Sequence, residues 1–147
     1  PFKPGCNGLR RYAQRHNLTF LASETMLVEG APCADFTYVT VLRHPVARLQ
    51  SQLERMSMTP NTRLHEMLAR PFYFNVSERT SLMGTAALNN YVVRLLLGPA
   101  AFFLPLRAIN ASHMAAASNV LAQFAAAIPI DELDGSGVIW LRAALGW

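Results

Sequence analysis

Arg43, Arg48 and Ser51 are the residues whose types and spacing point most directly to chemistry. They lie in Leu42-Arg43-His44-Pro45-Val46-Ala47-Arg48-Leu49-Gln50-Ser51, where an apolar run gives way to a helical pattern. A guanidinium at the end of a strand can fork onto an anionic oxygen pair. A hydroxyl about two turns into the following helix can meet the same anion. The start of that helix adds unpaired N–H groups and a partial positive charge. The chemistry this implies is phosphate binding at a strand-to-helix junction. The same residues also fit a plainer description, with Arg43 and Arg48 as solvated charges and Ser51 as a neutral helix residue. Spacing alone does not separate the two.

The elements that must position these groups follow from the pattern on either side. Phe36 to Leu42 is apolar, β-branched and aromatic on both alternate sets, which predicts a strand covered on both faces of a parallel sheet. Pro45 suits a first helical position. Val46, Leu49, Leu53 and Met56 then form one apolar stripe, a helix ended by Thr59-Pro60-Asn61. Upstream, Gly8 to Arg15 reads as a short helix, Asn17 to Ala22 as a short strand, and Leu27 to Pro32 as a turn. Downstream, Thr62 to Ala69 fits a short helix and Pro71 to Val76 is irregular. A helix from Ser81 to Leu97, with Leu88, Val92, Leu95 and Leu96 inward, stops at Gly98-Pro99. Ser112 is the predicted N-cap of a helix to Ala127, with Met114, Ala117, Leu121, Phe124 and Ile128 on its stripe. A brief strand at Ile128 to Ile130 and a helix from Ser136 to Leu145 close the chain. His65 and His113 read as ordinary helix residues and the methionines as core fillers.

Composition bounds the function. The chain has 147 residues, room for one domain. It is 52% hydrophobic and 15% charged, which excludes a disordered tail. Of its thirteen Lys and Arg residues, eight lie in residues 1–63 against four acids, while residues 64–147 hold five of each. An anionic partner is therefore expected at the first half. No block of like charges marks a nucleic-acid tail, and no nucleic-acid partner is expected. The uncharged run Ala108 to Ile130 carries too many polar residues for a membrane span and reads as an Ala-rich amphipathic helix with its flanks. The chain opens on Pro1 without a leader, so a fragment or processed product is expected, with any targeting signal outside it. Cys6 and Cys33 fit no metal-ligand spacing; they are either a pair in an oxidising compartment or two free thiols. Asn17-Leu18-Thr19, Asn75-Val76-Ser77 and Asn110-Ala111-Ser112 all fit the glycosylation pattern Asn-x-Ser/Thr. Chance predicts about one such match. The excess leans toward a secretory lumen, with chance as the other reading.

The junction sequence resembles the 3′-phosphate-binding motif of sulfotransferases that use 3′-phosphoadenosine 5′-phosphosulfate. That motif is a hydrophobic strand followed by Leu-Arg-Asp-Pro-Val-x-Arg-x-x-Ser. The likeness is closest to the Golgi carbohydrate and heparan-sulfate branch, of a green-algal type, with His44 where the family usually has Asp. A second block, Asn89-Asn90-Tyr91-Val92-Val93-Arg94-Leu95-Leu96-Leu97-Gly98, resembles the family's Asp-Asn-x-x-x-Arg-x-Leu-x-Gly helix, with Asn89 in place of Asp. A third, Ala115 to Phe124 with Leu133 and Leu145-Gly146-Trp147, is similar to the family's later helix and Leu-Gly-Trp. The three blocks stand in family order.

The resemblance implies an α/β, P-loop-like sulfotransferase fold: a parallel sheet flanked by helices, incomplete at the N-terminus and helix-rich in its second half. Residues 1–147 would form one partial domain. The implied reaction moves a sulfuryl group from 3′-phosphoadenosine 5′-phosphosulfate, as co-substrate and without metal, to a hydroxyl of a carbohydrate or glycoprotein acceptor. Arg43 and Ser51 would bind the 3′-phosphate, and Arg48 would assist or brace the loop. Asn90 and Arg94 would contact the acceptor or pack the helix. The family's general base is a His or Glu preceding the phosphate-binding strand; here His16 is the first choice and Glu24 the alternative. His16 also fits an exposed helix end. The family's Lys-bearing phosphosulfate loop is not in this sequence; Pro1 to Gly5 is only faintly similar to it. The implied setting is the Golgi lumen, as a type II membrane protein with its anchor outside this chain. Two other readings remain. One is a non-catalytic module of the same fold that binds a nucleotide or sulfated glycan. The other is a P-loop kinase relative, which the lack of Gly-x-x-x-x-Gly-Lys-Ser/Thr disfavours.

Overall fold

The computed structural model describes residues 5–55, 86 and 89–147, with the side chains of 52–55 excepted. The fold is mixed α/β, about half helical, with a small parallel sheet. Six helices are described: α1 Cys6–Arg15, α2 Pro45–Arg55, α3 Tyr91–Leu97, α4 Pro99–Phe102, α5 Ala111–Leu121 and α6 Ser136–Leu145. Strand β1 spans Val39–Leu42 and β2 spans Ala126–Pro129, followed by a 3-10 turn at Ile130–Glu132. The expected end of α2 at Thr59-Pro60-Asn61, the elements expected over residues 62–85 and Asn75 lie outside the described residues.

β1 and β2 pair in parallel, with Val39 opposite Ala126 and Leu42 opposite Pro129. The ladder starts one step earlier, where the Ala125 N–H donates to the Tyr38 carbonyl at 2.8 Å. Pro129, which has no N–H to give, sits at the end of its strand, where the ladder loses least. The sequence predicted β1 to begin at Phe36 and to be covered on both faces. It is shorter, and Val41 remains 44% exposed. Residues 17–22 are not a strand: the stretch is exposed and irregular, because β-propensity without a partner ladder does not hold an extended chain. Phe20 meets the Trp147 ring edge-on at 5.7 Å between centroids.

The core lies between α3 and α5. Val93 and Leu96 pack against Ala117 and Val120, with Leu27, Val92, Ile109 and Phe124 around them. The expected Ser81–Leu97 helix is broken before this core. Ala86 is helical and buried, but Asn90 adopts the left-handed conformation, and α3 starts after it. Gly98 ends α3 as the Gly-Pro pair predicted, and Pro99 opens α4. Only glycine fits there, because φ is 69° and a Cβ would stand 2.3 Å from the Leu27 carbonyl oxygen. Leu27 in turn donates its N–H to the Leu95 carbonyl at 2.9 Å, capping the end of α3.

α5 departs from expectation at both ends. Its N-cap is Asn110, whose side-chain oxygen accepts from the Ser112 and His113 amides, and His113 completes a capping box. Ser112 and Asn110 are both good caps, and the chain uses the earlier one. His113 is thus a capping residue rather than an ordinary helix residue. The helix stops at Leu121, not Ala127, because residues 125–129 are drawn into the sheet. Met114 of the expected stripe is 48% exposed. α6 matches its predicted span and packs on β2. Its Gly137 allows this, since a Cβ there would meet the Ile128 side chain at 2.7 Å. Among the described residues no helix is long and apolar enough to cross a membrane.

α1 is fastened to the segment before β1. Cys6 and Cys33 form a disulfide with 5.5 Å between Cα atoms. The Glu29 carboxylate accepts from the Cys6 N–H at 3.0 Å, at the positive end of α1. Arg10 pairs with Asp35.

Candidate functional site

The strand-to-helix junction is as the sequence laid it out. Leu42 ends β1, Arg43 and His44 form the link, and Pro45 opens α2. The short link has a simple cause: Pro45 presets φ for the first helical turn and has no N–H to satisfy. The Arg48 N–H donates to the His44 carbonyl at 2.9 Å, closing that turn. The amides of Val46 and Ala47 have no acceptor among the described residues, so the helix start offers two N–H donors. Arg43 is exposed beside them. Ser51 is half-buried on α2, about 9 Å further along the axis from Pro45 at 1.5 Å per residue. For both to meet one phosphate, the Arg43 side chain must lie back along the helix.

Arg48 has a different setting. Its guanidinium lies 4.3 Å from the centroid of the Tyr91 ring at the start of α3. Burial holds its pKa below the usual arginine range, with Tyr91 acting in the opposite direction. This contact joins the two sequence blocks, residues 42–53 and 89–98, in space.

Arg94 has no exposed surface. Its Nε donates to the Asn89 carbonyl at 2.6 Å, and its Nη2 to the Asn89 side-chain oxygen and the Pro105 carbonyl, both at 2.9 Å. Its Nη1 serves the carbonyls of Ala101, Phe102 and Leu104 at 3.0, 3.2 and 2.6 Å. Those carbonyls belong to the end of α4 and the turn after it. The guanidinium thus serves the Phe102 and Leu104 carbonyls, which have no backbone donor among the described residues, and shares those of Ala101 and Pro105 with the Leu104 and Ala108 amides. Burial lowers its pKa. A side chain so enclosed does not reach an acceptor, and its work is to hold residues 89–105 together. Asn90 is exposed at the left-handed turn preceding α3.

His16 is the C-cap of α1, exposed, with its ring 4.6 Å from that of Tyr12. Glu24 is exposed in the irregular stretch before Leu27. Neither belongs to the two elements that form the junction. The pairing of Leu42 with Pro129 brings a different pair of carboxylates to the same sheet edge as Arg43. Asp131 and Glu132, both exposed, lie in the turn directly after β2. Only the strand register reveals that proximity; nothing in the local sequence marks it. An open depression of about 470 Å³ lies instead toward the amino end of β1, beside Arg10, Asn17, Asp35 and Phe36. Its cation and carboxylate are already paired with each other. No group of three or more His, Cys, Asp or Glu among the described residues could hold a metal.

The arrangement can bind an anion at one end of the sheet, with Arg43 and two amides as donors. It balances that against two carboxylates nearby. In comparison with known proteins, no family model, curated protein or solved structure matches this chain.

Proposed function

We propose that the chain is part of a sulfotransferase, acting on a hydroxyl of a carbohydrate or glycoprotein and using 3′-phosphoadenosine 5′-phosphosulfate as donor. The observation that carries this reading is the placement of Arg43, exposed between the carboxyl end of β1 and the first turn of α2. Ligands of open parallel sheets sit at that edge. A forked cation with a hydroxyl on the adjoining helix fits a phosphate. With its side chain lying back along α2, Arg43 binds the 3′-phosphate together with Ser51, and Arg48, stacked on Tyr91, braces that helix. The donor, when bound, supplies an activated sulfuryl group for in-line transfer. His16 and Glu24 remain the proposed bases, in that order. The P-loop-like sulfotransferase fold is part of the same proposal. So is the luminal setting, which the Cys6–Cys33 disulfide favours, since disulfides persist in oxidising compartments.

A second reading, non-catalytic binding of a nucleotide or sulfated glycan through Arg43, is favoured by one feature. Neither His16 nor Glu24 belongs to β1 or α2, the elements that form the junction. Thermal shift tests the phosphate assignment that both readings share. Adenosine 3′,5′-bisphosphate should raise the melting temperature more than adenosine 5′-monophosphate does, and Arg43→Ala should remove the difference. Equal shifts would overturn the assignment. Coding sequence upstream of Pro1 with a Lys-bearing loop after a strand separates the enzyme from the binding module.

A further inference from the structure

Asn17 follows the last turn of α1 with its backbone in the left-handed region, φ 50°, a conformation asparagine tolerates well. Its backbone N–H donates to the Gln14 carbonyl, but its carboxamide has no hydrogen-bond partner among the described residues. Residues 17–22 are all exposed, including Thr19. Asn17-Leu18-Thr19 is therefore a complete Asn-x-Thr acceptor on an accessible, non-repetitive stretch of chain. It follows the far end of α1, the helix whose first residue, Cys6, is bonded to Cys33. Disulfides persist in oxidising compartments, where such acceptors are modified.

We infer that Asn17 carries an N-linked oligosaccharide. The donor class is a polyprenyl-diphosphate-linked oligosaccharide. The Nδ2 atom of Asn17 attacks the anomeric carbon of the first sugar. A C–N bond forms there, the C–O bond to the diphosphate breaks, the polyprenyl diphosphate leaves with the electron pair, and one amide proton is lost to solvent.

Asn110 is built differently. Its carboxamide oxygen accepts from the amides of Ser112 and His113 and from the Ser112 hydroxyl at 2.7 Å. There, both the asparagine and the hydroxyl of the acceptor triplet are engaged in the cap of α5. At Asn17-Leu18-Thr19 neither side chain has a hydrogen-bond partner among the described residues. A sugar there would also lie over Leu18, Phe20 and Leu21, apolar side chains that the fold leaves exposed.

This inference rests on the luminal part of the proposed function and not on sulfuryl transfer. It is tested on the protein isolated from its own source, digested without reduction, and treated with peptide-N-glycosidase in heavy-oxygen water. The expected result is a heavy aspartate at position 17 together with the Cys6–Cys33 cross-linked peptide. An unlabelled Asn17 with the disulfide present overturns the inference alone, and a glycan at Asn110 or Asn75 but not Asn17 does the same. An unlabelled Asn17 with free thiols overturns it together with the luminal reading. Asn17→Gln should remove one glycan's mass and leave the disulfide in place; an unchanged mass overturns the assignment.

Discussion

The guanidinium of Arg48 rests over the ring of Tyr91, 4.3 Å from its centroid. One residue belongs to α2, directly after the junction, and the other begins α3. The contact therefore transmits the position of the core helix to the helix that would present a phosphate site. Partial burial strips water from the cation and holds its pKa below the usual arginine range, and an aromatic face replaces part of that hydration.

The stack should be measurable. A double-mutant cycle of Arg48→Met and Tyr91→Leu, read by urea unfolding, is expected to give a coupling of about 1 kcal/mol. Tyr91→Phe should keep most of it, because the ring face persists. A coupling indistinguishable from zero would mean that Arg48 is held by something else.

Arg94 gives a larger prediction. Arg94→Ala strands the Phe102 and Leu104 carbonyls and both Asn89 oxygens, while Ala101 and Pro105 keep their backbone donors, and is expected to cost about 3 kcal/mol. Arg94→Lys should recover only part, because three donors replace five and lack the planar fork. Among the described residues Asn89, not a carboxylate, faces this buried cation. Asn89→Asp would supply the missing countercharge and should stabilise the fold by about 1 kcal/mol at neutral pH. The new carboxyl would have a folded pKa below its unfolded value of about 3.9. Its contribution is present above that unfolded value and is lost as pH falls through the folded one. Urea midpoints at neutral and acid pH check both magnitude and sign; a variant less stable than the parent at neutral pH would refute the countercharge argument.

These two arginines show where sequence reading stops. The Gly98-Pro99 stop, the span of α6 and the strand-to-helix junction were legible because local chemistry decides them. A glycine at positive φ, an apolar stripe and a proline at a first helical turn each carry their own signal. The irregular course of residues 17–22 was not legible, because a strand exists only with a partner and propensity names none. The Asn110 cap was masked by Ser112, an equally good cap two residues on. Arg94 read as either a binding or a packing residue, because its partners are mostly backbone carbonyls, which every residue has. Asp131 and Glu132 came to the candidate site only through the pairing of Leu42 with Pro129. The choice between paired and free Cys6 and Cys33 likewise needed the distance between them.

The acidic pair should weaken anion binding at the junction. Two carboxylates roughly 10 Å from a bound phosphate oppose it by about 0.4 kcal/mol each in water, or about twofold in affinity per charge. Asp131→Asn with Glu132→Gln is therefore expected to tighten adenosine 3′,5′-bisphosphate binding about fourfold in calorimetry at low salt. The gain should fade near 1 M salt, where the screening length falls to about 3 Å. An unchanged affinity at low salt would place the nucleotide away from this sheet edge.

The disulfide supports the half of the molecule that leads into β1. It links positions separated by 27 residues, and in the chain-entropy account a loop of that size contributes about 3 to 4 kcal/mol. Its local effect is specific. α1 is held to the following segment by Cys33, by the Glu29 carboxylate at Cys6 and by the Arg10–Asp35 pair. The last two are exposed and individually weak. Cys6→Ser with Cys33→Ser should lower the melting temperature by about 10 °C, and reductant should do the same to the parent and nothing further to the variant. Hydrogen exchange should locate the loss. Amides of α1 are expected to lose protection first, while those of Val93, Leu96 and Val120, in the α3–α5 core, keep theirs until global unfolding. Uniform loss across both regions would show that α1 and the core unfold as one unit, and that the bridge stabilises the whole rather than its first helix.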